Sequence, residues 1–175
     1  MSPFVIERRT ALPPAEAWRR VTTWERHTAS VPFTEITVST PPPSGVGTAF
    51  TARTRVGRIG FEDPMRVTVW APPVAGTGGE AGAGHCRLEK TGRVVTGWAE
   101  IEVTPDGAGS RVRWREELRI RRLPRLLDGL TGGTGRLVFG RALDTLLADR
   151  AHDDGRNYGR DDGRDDGRDD GNGSS

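Results

Sequence analysis

The sequence predicts an α+β fold: an antiparallel sheet of about six to seven strands and a long C-terminal helix, with two short helices after the first strand. Two observations lead there. Strand-like alternation recurs from Phe33 to Arg122 with no helical segment between the strands, and strands that follow one another directly imply antiparallel pairing. A helical apolar stripe, Val138, Phe139, Ala142, Leu143, Leu146 and Leu147, then closes the ordered part, with Arg136, Arg141, Asp144 and Asp149 away from it.

The elements follow in order. Phe4 to Ala11 reads as a first strand. Pro13-Pro14 suits the first turn of a helix, where no backbone N–H is needed, and Ala17, Trp18, Val21 and Trp24 follow at helical spacing. A second helical piece over Glu25–Ser30 stops before Pro32. Phe33–Thr40 and Gly47–Val56 are strands around the turn Pro41-Pro42-Pro43-Ser44-Gly45. Phe50, Ala52, Thr54 and Val56 share one face of the second strand. Met65–Ala71 alternates Met65, Val67 and Val69 against Arg66, Thr68 and Trp70. Residues 72–84, rich in Gly, Ala and Pro, read as a flexible loop. Three strands follow, His85–Lys90, Arg93–Thr104 and Arg111–Arg122. Leu123–Leu130 reads as a short helical turn, and Thr131-Gly132-Gly133-Thr134-Gly135 as a break and hinge before the last helix.

Composition divides the chain in two. Of 175 residues, 152–175 are near-copies of an Asp-Asp-Gly-Arg unit with Tyr158 as the one apolar side chain. Such a segment cannot bury enough surface to offset its ordering entropy, so it is expected to be disordered, and the domain is expected to span 1–151. The tail carries 4 of the 26 Lys+Arg and 8 of the 24 Asp+Glu, a net −4, leaving +6 on the body. The body's arginines are interleaved with glutamates or alternate along strands. That is the pattern of a solvated face and argues against nucleic acid as partner. Lys90 is the only lysine, and glutamine is absent. With one cysteine, Cys86, no internal disulfide is possible. With no signal peptide or membrane span read in the sequence, a cytoplasmic protein is expected.

The strand Arg111–Arg122 carries the site argument. Arg111, Arg113, Arg115, Glu117, Arg119 and Arg121 share one face, and Val112, Trp114, Glu116, Leu118 and Ile120 the other. The first face is expected in water and the second covered. Glu116 breaks the pattern as a carboxylate on the covered face. It therefore needs a partner, a raised pKa or water, and an ion pair with an arginine is one reading. Opposite it, Glu100 and Glu102 belong with the arginines, which leaves Val95, Gly97, Ala99, Ile101 and Val103 covered. Reading Thr91-Gly92 as a tight turn pairs Lys90 with Arg93, Leu88 with Val95 and Cys86 with Gly97. Cys86, Gly97 and Ala99 then leave a shallow small-residue area. A ligand cavity there and a core filled by the long helix both fit this pattern.

The junction Leu12-Pro13-Pro14-Ala15-Glu16-Ala17-Trp18, the later Pro32, the turn Ser44-Gly45-Val46-Gly47-Thr48 into a strand, the run of strands and the final amphipathic helix resemble, in that order, the START-like or SRPBCC superfamily. The likeness covers about residues 3–150 and is nearest the bacterial polyketide cyclase/dehydrase and lipid-transport-like branch. It implies a helix-grip fold, a curved sheet wrapped on the C-terminal helix, with an apolar cavity between them. It does not imply one activity.

The expected ligand-binding residues are Phe50, Ala52, Thr54, Met65, Val67, Val69, Leu88, Gly97, Ala99, Ile101, Trp114, Glu116, Leu118, Phe139 and Leu143, and the candidate catalytic residue is Glu116. Three functions compete: binding or carriage of a small apolar, lipid- or polyketide-like molecule; a polyketide cyclase/dehydratase with Glu116 as general acid or base; and an interaction protein with a vestigial cavity. Trp18 reads as core. Cys86 reads as a small buried residue. His27, His85 and Cys86 lack metal-ligand spacing. Gly132–Gly135 matches no phosphate loop, and the Asp-Asp-Gly units no calcium loop. No metal or cofactor is assigned.

Overall fold

A computed structural model describes residues 3–56, 58–74, 82–120 and 128–148. Seven antiparallel strands form one curled sheet in the order β1-β7-β6-β5-β4-β3-β2. They are β1 (Phe4–Thr10), β2 (Thr34–Val38), β3 (Ala49–Val56), β4 (Ile59–Ala71), β5 (Gly84–Thr91), β6 (Val95–Asp106) and β7 (Gly109–Ile120). Helices α1 (Pro14–Thr22) and α2 (His27–Ser30), joined by a 3₁₀ turn at Trp24–Arg26, follow β1, and α3 (Asp128–Ala148) ends the described chain. This is the expected α+β helix-grip arrangement. Proline stands at the start of α1 as the sequence implied, and Ala17, Trp18 and Val21 are buried.

The core lies between the inner face of the sheet and the helices. Ala142, Leu143 and Leu146 of α3 are buried, and Phe139 packs its ring 5.9 Å from Phe4 and 5.8 Å from Trp114. On β7 the alternation holds: Trp114 and Glu116 are buried inward while Arg113 is exposed outward. Glu100 pairs across with Arg115, and Glu102 with Arg113, on the outer side.

Several expectations need correction. The β5–β6 loop is wider than a two-residue turn: Thr91 pairs with Thr96, so Lys90 lies opposite Gly97, Leu88 opposite Ala99 and Cys86 opposite Ile101. The shift is even, so every side chain keeps its expected face. β4 begins six residues earlier than Met65, at Ile59, and includes Pro64. A register irregularity between Val67 and Val69 then reverses the alternation. An extra residue in one strand turns the following side chains to the other face. Val69 is consequently exposed, whereas Trp70, expected outside, packs edge-on against Trp18 at 5.1 Å. Helix α3 runs unbroken through Thr131–Gly135, so no break separates it from an earlier turn. Glycine lowers helix propensity by only about 1 kcal/mol per residue, which tertiary context overrides. Residues 75–81 of the expected loop, the beginning of the expected turn Leu123–Leu130, Arg121–Arg122 and the tail 152–175 lie outside the described residues.

Candidate functional site

A cavity of about 410 Å³ opens between the sheet and the helices. Ten of the expected ligand-binding residues line it: Phe50, Ala52, Thr54 and Met65 from β3 and β4, Leu88 and Ala99 from β5 and β6, Trp114, Glu116 and Leu118 from β7, and Phe139 from α3. Val67, Ile101 and Leu143 are instead closed into the core, each about 1% exposed or less. Val69 lies outside for the reason given above. Gly97 does not line the cavity either. Its φ is +133°, and a Cβ built there would stand 1.9 Å from the Glu117 carbonyl oxygen. Glycine is required by backbone approach rather than by room for a ligand.

The walls are mostly aromatic and aliphatic. Trp24 stacks on Phe50 with centroids 4.7 Å apart, His27 lies 5.8 Å from Trp114, and Trp114 continues to Phe139. His27 faces a carbonyl, with Nε2 3.0 Å from Val21 O. Burial pushes its pKa down, which favours the neutral ring.

One cluster departs from this apolar lining. The chain's single lysine, Lys90, shares the inward face of β5 with Cys86 and Leu88. Its Nζ donates to Asp63 Oδ2 at 2.5 Å and stands 3.1 Å from Glu116 Oε1. Trp114 Nε1 donates to Glu116 Oε2 at 3.0 Å. Lys90 and Glu116 sit on the strands that flank β6, and the β6 residues between them are Gly97 and Ala99. Lys90 and Glu116 thus meet across the intervening strand. The partner of Glu116 is this lysine rather than an arginine. All three ionisable residues are buried. Burial alone lowers the Lys90 pKa, but the charges of Glu116 and Asp63 and their hydrogen bonds outweigh it, so the net direction is up. Lys90 is held as an ammonium.

Sequence reasoning missed Trp24, His27, Asp63 and Lys90 as cavity residues. For Lys90 a signal existed: it is two residues from Leu88 on the covered face, and it is the one lysine among 26 basic residues. Asp63 carried none, because the segment before Pro64 does not read as strand. Cys86, fully buried, has its thiol pushed up to about 12 by burial, in keeping with a packing role. Among the described residues no group of three His, Cys, Asp or Glu could hold a metal ion, and no helix is long and apolar enough to cross a membrane.

No protein-family model matches the sequence, and no curated protein matches it. Solved structures do match in shape. Ara h 8.0201 is 12% identical with a TM-score of 0.54, over 84% of this chain and 98% of its own. KanY is 14% identical with a TM-score of 0.61, over 83% and 94%. The Zhui aromatase/cyclase from Streptomyces sp. R1128 is 11% identical with a TM-score of 0.58, over 81% and 90%. At these identities the likeness is one of fold, the helix-grip fold.

Proposed function

We propose that this chain binds a small, largely apolar molecule in the cavity between sheet and helices. The observation that carries the reading is the cavity itself: about 410 Å³, walled by Trp24, Phe50, Trp114 and Phe139, and placed where the long helix could have filled the space. Pockets of this size, mostly apolar with a few convergent polar groups, are the usual form of small-molecule sites. Native mass spectrometry of the protein purified from its own host tests it. A retained apolar mass, released on denaturation, is expected. A bare polypeptide mass, persisting after exposure to a lipid extract, refutes the reading and favours an interaction protein with a vestigial cavity.

A second reading is that the same cavity performs cyclase or dehydratase chemistry on a polyketide-like substrate. The observation that favours it is the carboxyl–ammonium cluster on the cavity wall, where Glu116 would exchange a proton with a bound substrate. Glu116→Gln separates the two. A carrier keeps most of its affinity for a neutral apolar probe, because the amide still accepts a hydrogen bond, whereas an enzyme relying on that carboxyl loses roughly 10²–10⁴-fold in rate.

A further inference from the structure

The cavity's polar cluster is incomplete as the chain builds it. Lys90 is one ammonium facing two carboxyl groups, Asp63 and Glu116, with side chains 3%, 10% and 1% exposed. Among the described residues, Asp63 Oδ1 is buried without a hydrogen-bond partner, and Glu116 Oε1 has only the 3.1 Å contact with Lys90 Nζ. Trp24 Nε1, on the same cavity wall, is a buried donor also without a partner. Buried acceptors without donors are costly, and surplus buried charge more so. Both carboxyl groups line the cavity, where a ligand can take the place of water and supply what they lack.

We propose that the cavity selects apolar amines, with a protonated amino head seated against Asp63 and Glu116 and the hydrocarbon or aromatic body lying along Phe50, Trp114 and Phe139. This rests on the cavity being a ligand site. An ammonium head brings both things the cluster needs: N–H donors for Asp63 Oδ1 and Glu116 Oε1 and a positive charge against the second carboxyl group. The indole and phenyl faces of the walls also favour a cation over an anion. An alcohol of the same shape brings a donor but no charge. A carboxylate brings no donor and adds a third carboxyl group.

Calorimetric titration of the full chain near neutral pH with 2-naphthylmethylamine, 2-naphthylmethanol and 2-naphthoate reads this directly, since the three differ only at the head. The amine is expected to bind about tenfold or more tighter than the alcohol, and 2-naphthoate weakest. If the alcohol or 2-naphthoate binds as tightly as the amine, the cavity is a ligand site and the amine assignment is overturned. If none of the three binds, the ligand-site reading falls and takes the assignment with it. Asp63→Asn supplies the internal check. It keeps the side chain's shape and leaves one carboxyl group for Lys90, so the amine's advantage is expected to shrink to within about threefold while the alcohol's affinity is retained. A folded variant that keeps the full preference overturns the seating of the amine at Asp63.

Discussion

Strands β5, β6 and β7 carry ion pairs on both faces, and the two sets obey different physics. On the outer face Arg87 reaches Glu100 at 2.6 Å, Arg115 reaches the same carboxylate at 3.3 Å, and both guanidinium groups lie over the Trp98 ring, at 4.7 and 5.7 Å. On the inner face the same three strands hold Lys90 and Glu116. Outside, water reaches Arg87 and Arg115, which are partly exposed around the more sheltered Glu100, and screens their charge. Inside, each charge depends on the others, because nothing else in the apolar wall can solvate it. Similar residue types therefore serve as a soluble surface on one side and as the polar end of a cavity on the other. The difference is in burial rather than in chemistry.

The comparison breaks most severely at Lys90. Lys90→Met leaves Asp63 and Glu116 buried without their cation and is expected to cost about 3–5 kcal/mol in denaturant unfolding. Adding Asp63→Asn and Glu116→Gln to that variant recovers most of the loss, because neutral groups no longer need the charge; failure to recover would mean that Lys90 acts by packing. The pH dependence has a definite sign. A raised folded-state pKa means that Lys90 contributes fully below the ordinary lysine value of 10.5 and that the contribution fades as pH rises through the folded value. Wild-type protein should lose stability in that alkaline range, and Lys90→Met should lack this component.

A smaller effect, of the opposite kind, is expected at Ala99. It lines the cavity between Leu88 and Glu116, so Ala99→Phe places a ring in ligand space. Binding of an apolar probe should be abolished with melting temperature nearly kept. A close-packed site would instead lose roughly 1–3 kcal/mol from overpacking, with no probe binding in the wild type.

On the outer face, Arg87→Ala is expected to cost at most about 1 kcal/mol and to become less costly as salt is added. A salt-insensitive loss of several kcal/mol would erase the distinction between the faces. The last is the half-buried helix cluster at Glu16, where Arg19 and the buried Arg20 both reach one carboxylate. Hydrogen bonds from Arg19, together with Arg20, hold the Glu16 carboxyl down to about 2. Its contribution is present above the ordinary value of 4.5 and is lost as pH falls toward about 2. Glu16→Gln should flatten the acid limb of the stability profile in that window and leave the neutral and alkaline limbs unchanged.

Much of this was legible in the residues. On β7 strict alternation identified the wet and covered faces, singled out Glu116, and placed Trp114 and Leu118 beside it. On β6 it assigned Ala99 inward and Glu100 and Glu102 outward, because a side-chain period of two leaves no choice once one face is buried. The proline-led helix with Trp18 inside and the apolar stripe of the last helix followed from equally local rules. The site was less legible. Val69 and Trp70 exchanged faces at a bulge whose position no residue of Met65–Ala71 announces. Asp63 fell in a stretch that does not look like strand. Gly97 looked like room for a ligand and proved to be room for a carbonyl.

What the sequence by itself determined is which side of its own strand each residue of β6 and β7 occupies, together with the order of the elements. Those depend on a few neighbouring dihedrals and on burial. The tertiary structure decided which residues meet across strands: Lys90 opposite Gly97, Lys90 over β6 to Glu116, and Asp63 beside both. Such meetings depend on loop length, bulges and sheet curl summed over many residues. A one-residue change in any of them reverses a face, and a two-residue change keeps the face but exchanges the partner.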